Sequence, residues 1–337
     1  MNPFSYTRPE AVADALNDIG QQPNAKFIGG GTNLIDLMKV NVEHPTHLVD
    51  VNHLPLGDIT ELPDGGLRLG ASVTNADTAW HPLVEERYPL LSKTILAGAS
   101  PQLRNMATNG GNLFQRTRCY YFYDAQMSCN KRQPGSGCPA INGYNRIHAI
   151  VGMDKAECQN PNSKTACIAT HPSDMCVALA ALEAVVRVTG PNGDRSIPMA
   201  DFHRLPDTDP QRDNTLEPGE LVTSIDLPAK GFPKHFTYVK LRDRSSYAFA
   251  LVSVAVGLEM DDNGTITEAR IAMGGVAHKP WRKSEAEQLL IGKPATDETF
   301  RAAAESLLDG AVGFGHNTFK IELGKRAIVR ALQEAIS

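Results

Sequence analysis

The distribution of the cysteines is the feature that most constrains how this sequence folds. All six cysteines of the 337-residue chain lie between residues 119 and 176, namely Cys119, Cys129, Cys138, Cys158, Cys167 and Cys176. A disulfide framework is typical of small secreted domains, whereas a chain of this length can build two domains with separate cores. Clustered thiols in a large chain therefore indicate a metal or iron–sulfur site, around which this stretch has to fold.

Charge and hydropathy exclude several classes of function. The formal net charge of −5 disfavours a nucleic-acid partner, because proteins that bind nucleic acids carry clustered excess Lys and Arg. No segment approaches the run of about 20 apolar residues that a membrane span needs. The segment Met1–Arg8 lacks the basic and apolar regions of a signal peptide. We therefore expect neither a membrane span nor an export signal of its own in this chain.

Hydrophobic periodicity divides the chain into regular parts and one irregular part. Residues 11–97 alternate between short strands and helices, whereas the stretch from Cys119 to about Thr165 has no periodic pattern. After Pro172, a helix precedes predicted strands at Val185–Thr189, Arg195–Pro198, Glu220–Leu227, Phe236–Leu241, Ala248–Leu258 and Thr265–Met273. The remaining segments have helical spacing, and strands followed by helices predict an α+β second domain that begins near residue 229.

Two glycine-rich turns are candidates for binding an anionic ligand. Gly29–Asn33 follows a predicted strand and precedes a helical turn, and Thr108–Leu113 lies just before the cysteine region. Glycines let a ligand approach the backbone closely, and successive amides can point at a phosphate. Neither turn matches a G-x-G-x-x-G fingerprint or a P-loop. From the residues alone, a clamp on a diphosphate and a pair of ordinary tight turns remain alternatives.

Several motifs, in order along the chain, resemble the FAD-binding subunits of the xanthine dehydrogenase and carbon monoxide dehydrogenase family. These motifs are Phe27–Leu34, Leu103–Leu113, Gly219–Val222, Tyr238–Arg242 and Ala248–Val256. The resemblance implies an α+β fold: a two-part FAD-binding domain of the vanillyl-alcohol-oxidase/PCMH type, then an α+β domain like the C-terminal domain of the carbon monoxide dehydrogenase flavoprotein. We assign these domains to residues 1–228 and 229–337, with a cysteine-rich insertion at about 117–168.

The cysteine-rich insertion resembles a smaller group of proteins within this family. Arg118–Asp124, Cys129–Arg132, Pro134–Cys138 and Cys167–Asp174 are similar to the flavoprotein subunit of bacterial periplasmic aldehyde oxidoreductases. The related subunit of 4-hydroxybenzoyl-CoA reductase carries a comparable insertion. In both cases the resemblance implies a 4Fe–4S cluster that is held by four cysteines.

The resemblance implies that the four cluster ligands are Cys119, Cys129, Cys138 and Cys167. Cys158 lies in an extra segment and is the alternative for the fourth place, and Cys176 is expected to be a buried small apolar residue of a helix. A zinc ion is the alternative occupant, although structural zinc sites favour short C-x₂₋₄-C pairs and these spacings are long. Thiolates at wide spacing suit an iron–sulfur cluster in a loop.

The resemblance also implies which residues hold FAD, and it implies no catalytic residue in this chain. The cofactor-binding positions are Lys26, Phe27, Ile28, Gly29, Gly30, Gly31, Thr32, Asn33, Leu34, Ala107, Thr108, Gly111, Asn112, Asp174, Leu221 and Lys240. The first turn would wrap the diphosphate, with hydrogen bonds from Thr32 and Asn33. The second turn would contact the opposite side of the cofactor.

Three of these positions lie outside the turns and have separate expected roles. Asp174 would accept hydrogen bonds from the ribityl or adenosine hydroxyls, and capping of the helix after Pro172 is an equal expectation. Leu221 would pack on the adenine. Lys240 would lie near the isoalloxazine edge, where a cation stabilises anionic reduced flavin, and its alternative is a solvated strand lysine.

The function that the resemblance implies is electron transfer in a larger enzyme. The chain has no C-x₄-C-x₂-C run for a plant-type 2Fe–2S cluster and does not resemble the family's molybdenum-binding subunit. We therefore expect a heterotrimer with a large molybdenum-cofactor subunit and a small 2Fe–2S subunit. Electrons from these partners would pass to FAD and then to an external acceptor.

The substrate and the location are further expectations. The insertion favours an aldehyde oxidoreductase, and the alternatives are a hydroxybenzoyl-CoA reductase-like enzyme and a non-catalytic, zinc-stapled nucleotide-binding module. The expected location is the periplasm, which the complex would reach through the export signal of a partner subunit. The cytoplasm is the alternative location.

Overall fold

The computed structural model describes residues 1–337, with eleven strands in three sheets and fourteen mostly short helices. The strands are β1 (Ser5–Thr7), β2 (Ala25–Ile28), β3 (His47–Asp50), β4 (Ile59–Glu61), β5 (Leu67–Gly70), β6 (Val185–Gly190), β7 (Gly193–Pro198), β8 (Leu221–Leu227), β9 (His235–Leu241), β10 (Val252–Met260) and β11 (Ile266–Gly274). The helices are α1 (Val12–Gln21), α2 (Leu34–Lys39), α3 (Asn75–Ala79), α4 (Pro82–Arg87), α5 (Pro89–Ala97), α6 (Pro101–Arg104), α7 (Asn109–Leu113), α8 (Tyr120–Tyr123), α9 (Lys155–Gln159), α10 (Asp174–Ala181), α11 (Met199–Phe202), α12 (Ser284–Gln288), α13 (Asp297–Leu307) and α14 (Phe319–Ala335). None of the helices is both long and apolar enough to cross a membrane.

The first sheet is parallel and positions the first glycine-rich turn. Its strand order is β1-β3-β2, and the central strand β3 is buried along its whole length. Ile28, the last residue of β2, pairs with Asp50. The chain then leaves the carboxyl end of β2 through Gly29–Asn33 and enters α2. Open sheets with parallel strands bind ligands beyond the carboxyl ends of those strands, so this turn lies where a ligand is expected.

The second sheet is antiparallel and joins distant parts of the first domain. Its order is β4-β5-β8-β6-β7, so the central strand β8 pairs with β5 on one side and β6 on the other. Leu69, Val186 and Ile225, one from each of these three strands, are fully buried in the same hydrophobic core as side chains of α5 and α10. This core fixes the start of β8, and therefore Leu221, relative to the glycine-rich turns.

The third sheet, β9-β10-β11, is antiparallel and is covered by helices on both faces. Alternate side chains of a strand face opposite sides: Val254 and Val256 join the core with α13 and α14, while Ala255 joins the core with α5 and α10. The α+β architecture predicted from the sequence is thus confirmed. The strand predicted to start at Ala248 starts at Val252, because its partner strand β9 ends at the paired residue Leu241.

The cysteine-rich insertion has little regular structure, and buried polar side chains satisfy its backbone. Its regular elements are the short helices α8 and α9, which are too short to give the periodic pattern that the sequence lacks here. The side-chain amide of Asn145 donates to the carbonyls of Ala140 and Phe314 at 3.0 and 2.6 Å. Lys320 of α14 donates to the carbonyl of His148 at 2.7 Å. Such partners replace the hydrogen bonds of a sheet or helix and allow an irregular segment to be buried.

A series of ion pairs holds the cysteine-rich insertion against the rest of the first domain. Lys26 contacts Glu43 at 2.8 Å, Glu43 contacts Arg116 at 2.6 Å, and Arg116 contacts Asp213 at 2.7 Å. Asp213 also accepts a hydrogen bond from the Lys131 ammonium at 2.5 Å, and the Lys131 side chain is only 3% exposed. Burial opposes ionisation of Asp213, but the charges of Lys131 and Arg116 hold its pKa well below the ordinary value.

Replacing Asp213 by Asn tests whether this series of ion pairs stabilises the fold. The Lys131 ammonium would stay buried without its counter-charge, so we expect the free energy of unfolding to fall by about 3 kcal/mol. Denaturant unfolding at neutral pH measures this change. The exposed Asp262 provides the control, since Asp262→Asn removes a carboxylate at the surface. Equal stabilities of the two variants would contradict the structural role of Asp213.

Lys320 predicts a specific pH dependence of stability. Burial lowers the pKa of Lys320 to about 7, whereas the unfolded chain binds this proton up to about pH 10.4. Between these pH values the unfolded state binds more protons, so the contribution of Lys320 to the free energy of unfolding rises with pH. Urea unfolding at pH 7 and pH 9 should therefore give a difference between the wild type and Lys320→Met that increases with pH.

The control for this experiment is Lys325→Met, on the same helix, because the Lys325 side chain is partly exposed. Its stability difference from the wild type is expected to stay flat over the same pH range. A flat difference for Lys320→Met as well would contradict the deprotonation of a buried ammonium.

Candidate functional site

The main cavity is a cleft of about 760 Å³ that three segments of the first domain enclose. Residues 25–34, the second glycine-rich turn from Ala107 to Gly111, and residues 211–222 supply most of its lining. All but three of the predicted cofactor-binding positions line this cleft, and the exceptions are Asn112, Asp174 and Lys240. The structure therefore brings most of the predicted positions together around one cleft, and residues 211–218 line it as well although the sequence did not single them out.

The first turn offers unused backbone donors to this cleft. The amides of Gly30, Gly31, Thr32 and Asn33 donate to no protein acceptor. Gly31 has a φ of 71°, a backbone conformation that favours glycine. Consecutive free amides beside a helix start form a concave site for an anion. The turn is thus suited to hold the diphosphate of a dinucleotide.

The second turn supports the first turn, and most of its own amides are already paired within the protein, the Thr108 amide excepted. A Cβ atom on Gly30 would lie 1.6 Å from the carbonyl oxygen of Met106, so the two turns are in direct backbone contact. Thr108 caps α7 by accepting from the amide of Gly111 at 3.1 Å, and the amide of Gly110 donates to Ala71. These bonds make the second turn a rigid wall of the cleft.

At the cleft, Lys26 and the Oδ1 atom of Asn33 have protein partners, whereas the buried Nδ2 atom of Asn33 has none. The Oδ1 atom of Asn33 accepts from the amide of Arg116 at 3.0 Å, and Lys26 forms its ion pair with Glu43. Leu221 is buried at the start of β8 and lines the far part of the cleft. Asn112 lies behind the cleft wall, where its Oδ1 atom accepts from the Ser173 hydroxyl at 2.5 Å.

Asp174 belongs to a second, neighbouring cavity of about 250 Å³. Its carboxylate contacts the Lys240 ammonium at 2.8 Å and accepts from the Tyr238 hydroxyl at 2.5 Å. Ser173, not Asp174, caps α10 by accepting from the amide of Cys176. The Lys240 side chain is 5% exposed, so it is a buried, paired cation and the solvated alternative is wrong.

Four of the six cysteines converge on one small cavity inside the insertion. Cys119, Cys129, Cys138 and Cys167 all line it. Burial, reinforced by neighbouring Cys167 and Cys129, raises the pKa of Cys119 to about 12. Burial together with Cys119 and Cys129 raises the pKa of Cys138 to about 12 as well. Three of these cysteines are buried and Cys138 is half-buried. Four thiols on one small cavity become thiolates together only with a cationic metal, so this donor set fits a metal or an iron–sulfur cluster.

The other two cysteines lie apart from this cavity. Cys158 is on α9, packs against Ala140, Ala166 and Ile168, and does not line the cavity. Cys176 is inside α10, and its thiol lies within 4.8 Å of ring nitrogens of His171 and His203. The structure therefore groups Cys167, and not Cys158, with the other three cysteines.

Sequence reasoning missed several side chains at these sites. His148 lines the cysteine cavity, and its Nε2 atom lies 3.0 Å from the Sγ atom of Cys119. Burial, and secondarily the charge of Lys320, lowers the pKa of His148 to about 4. Arg116 lines the main cleft and stacks its guanidinium over the ring of Phe122, which lines the cysteine cavity, at 4.8 Å. No local motif marks these residues.

Comparisons with known proteins match both halves of this architecture. The model of the FAD-binding domain in molybdopterin dehydrogenase matches residues 2–230, and that of the CO dehydrogenase flavoprotein C-terminal domain matches residues 236–335. The carbon monoxide dehydrogenase of Hydrogenophaga pseudoflava contains a chain with a TM-score of 0.75 and 26% identity, covering 99% of this chain and 98% of that chain.

Curated relatives extend over nearly the same length. The aldehyde oxidoreductase FAD-binding subunit PaoB of Escherichia coli is 49% identical over 337 residues, which is 99% of both chains. The glyceraldehyde dehydrogenase medium chain of Sulfolobus acidocaldarius is 27% identical over 90% of this chain and 86% of that protein. Together with the cleft and its free amides, these matches show that the chain belongs to the FAD-binding medium subunits of the molybdenum hydroxylases, a family of oxidoreductases.

Proposed function

We propose that this chain is the FAD- and 4Fe–4S-binding electron-transfer subunit of a heterotrimeric molybdenum aldehyde oxidoreductase. The observation that carries the cluster assignment is the convergence of Cys119, Cys129, Cys138 and Cys167 on one buried cavity. The 49% identity to an aldehyde oxidoreductase subunit over the whole chain supports the aldehyde substrate. The structure offers no other group of four thiols that would explain the insertion.

The residues of the main cleft fit the diphosphate and adenine parts of FAD. The free amides of Gly30–Asn33 would hold the diphosphate, and Leu221 would pack on the adenine. The second cavity, with Asp174 at its wall, would receive the flavin end. Bound FAD supplies a carrier that accepts two electrons and releases them singly or together. The buried Lys240–Asp174 pair would fix the polar environment of that end, with Lys240 acting through Asp174.

The insertion lies against both cofactor cavities. Arg118 and Tyr120, which flank Cys119 in the sequence, line the second cavity, and Cys119 lines the cysteine cavity, which supports electron passage between a flavin and the cluster. Asp213 lines the cleft, and Lys131 lines the cysteine cavity, and the two form an ion pair at 2.5 Å. Arg116 stacks on Phe122 across the same boundary.

The partners in this proposal are a large molybdenum-cofactor subunit and a small 2Fe–2S subunit, and an external acceptor receives the electrons. The medium-chain relatives support a multi-subunit enzyme of this kind. We propose the periplasm as its location, reached through the export signal of a partner subunit, with the cytoplasm as the alternative.

The direct test is native purification followed by spectroscopy. The purified material should show flavin and iron–sulfur absorbance that bleaches when an aldehyde is added without an oxidant. A hydroxybenzoyl-CoA reductase-like enzyme would instead reduce a CoA thioester and leave the aldehyde untouched. Zinc without iron or flavin would identify the zinc-stapled nucleotide-binding module and overturn the proposal.

The cluster ligands are tested by two single substitutions. Cys167→Ser removes a thiol from the cavity and should cost the chain most of its iron, since a cluster of this type needs four ligands. Cys158→Ser is the matched control and should retain wild-type iron, because its thiol lies outside the cavity. Elemental analysis and EPR of the reduced protein measure the result. Iron retained in Cys167→Ser and lost in Cys158→Ser would reverse the ligand assignment.

The diphosphate site is tested at Thr32, which lines the cleft beside the free amides. A carboxylate there faces the diphosphate as a like charge, which costs several kcal/mol, so Thr32→Glu should reduce the FAD content at least about tenfold. Thr32→Ser keeps a hydroxyl of similar size and serves as the control. Flavin released per chain is measured by absorbance, and full flavin content in Thr32→Glu would contradict the proposed diphosphate position.

A further inference from the structure

His148 is a buried histidine whose only side-chain hydrogen-bond partner is a cysteine of the insertion cavity. The residue is 1% exposed, and its Nε2 atom lies 3.0 Å from the Sγ atom of Cys119. Its other ring nitrogen, Nδ1, is buried and has no partner. The imidazole therefore has a single polar contact, and that contact is a sulfur atom.

The lack of a partner at Nδ1 determines which ring nitrogen carries the hydrogen. A hydrogen on Nδ1 would be a buried donor without an acceptor, whereas a lone pair there is an under-satisfied acceptor, which proteins tolerate more often. The hydrogen therefore belongs on Nε2, from which it points at Cys119. A thiol at Cys119 does not need this donor, but a metal-bound thiolate is a strong acceptor for it.

The backbone and neighbouring rings hold the imidazole in this position. The His148 carbonyl accepts from the Lys320 ammonium at 2.7 Å, and the His148 amide donates to Asn145 at 3.0 Å. The rings of Tyr120 and Tyr121 both lie with their centroids 6.3 Å from that of His148. With its backbone held on both sides and its ring flanked by aromatics, His148 keeps its Nε2 atom directed at the sulfur.

We propose that His148 is a positioning residue that raises the reduction potential of the iron–sulfur cluster through an N–H···S hydrogen bond to Cys119. This inference rests on the proposed function, because it requires a cluster at the four cysteines. A donor on a ligating sulfur withdraws negative charge from the cluster, and reduction adds negative charge. The hydrogen bond therefore stabilises the reduced state more than the oxidised state.

Redox titration of variants tests this proposal. The chain is purified natively with any subunits that it binds, and the cluster midpoint is followed by EPR in wild type, His148→Leu and His148→Gln. Leucine removes the donor, so the reduction equilibrium should shift roughly tenfold toward the oxidised cluster, equal to about 59 mV for one electron. Glutamine carries a side-chain N–H at a similar distance from the backbone and should restore the wild-type midpoint.

The control is His278→Leu, since His278 is buried with no partner on either ring nitrogen and does not line the cysteine cavity. Its midpoint should equal that of the wild type. An iron-loaded His148→Leu with an unchanged midpoint would overturn the role of His148, whereas a wild type without iron would overturn the proposed function instead.

A second measurement uses only the wild type, and it tests the N–H···S hydrogen bond even if His148→Leu does not fold. Pulsed EPR of the reduced wild type with ¹⁵N-labelled histidine should detect a weak nitrogen coupling to the cluster through the N–H···S bond. The absence of that coupling would exclude the hydrogen bond.

Discussion

The carboxylate of Asp213, held between Arg116 and Lys131, is the interaction on which the arrangement of both candidate sites depends. It lies in a polar connection, yet it closes the main cleft on one side and neutralises a lysine of the cysteine cavity on the other. Two cations paired with one anion, Arg116 and the buried Lys131, hold the insertion against the glycine-rich turns, although these segments are far apart in sequence. A buried ion pair of this kind contributes little net stability, because desolvation offsets the attraction between the charges. Its main effect is to permit a single geometry.

The regular part of the fold was readable from the sequence because its signals are local. Strand and helix periodicity marked the third sheet and its covering helices, and the glycines of the first turn marked the cleft. What could not be predicted depends on contacts between distant residues. The burial of Lys240 is an example: a strand lysine between the apolar residues Val239 and Leu241 resembles a solvated one until Asp174 is known to face it. Glu43 and Asp213 carry no motif for the same reason.

The cysteines are a second example of a contact that residue spacing could not predict. Intervals along the chain could not choose between Cys158 and Cys167, because a long loop can bring either to the same point. The choice of Cys167 came from a resemblance, and the structure groups Cys167 with the other three. The segment around Cys158 instead forms α9, a short helix capped by Asp154 and packed on Ala140 and Ile168, which keeps its thiol away from the cavity.

In the main cleft, one turn supplies the groups for binding and the other fixes the shape. The two parts meet where Gly30 contacts the carbonyl of Met106. One turn presents free donors, while most amides of the other donate to its own helix, to Val73 and to Ala71. The packing of the second turn therefore fixes where the free amides of the first turn lie. Substitutions at Met106 or Ala71 can therefore mimic a binding defect by altering the wall against which the binding turn rests.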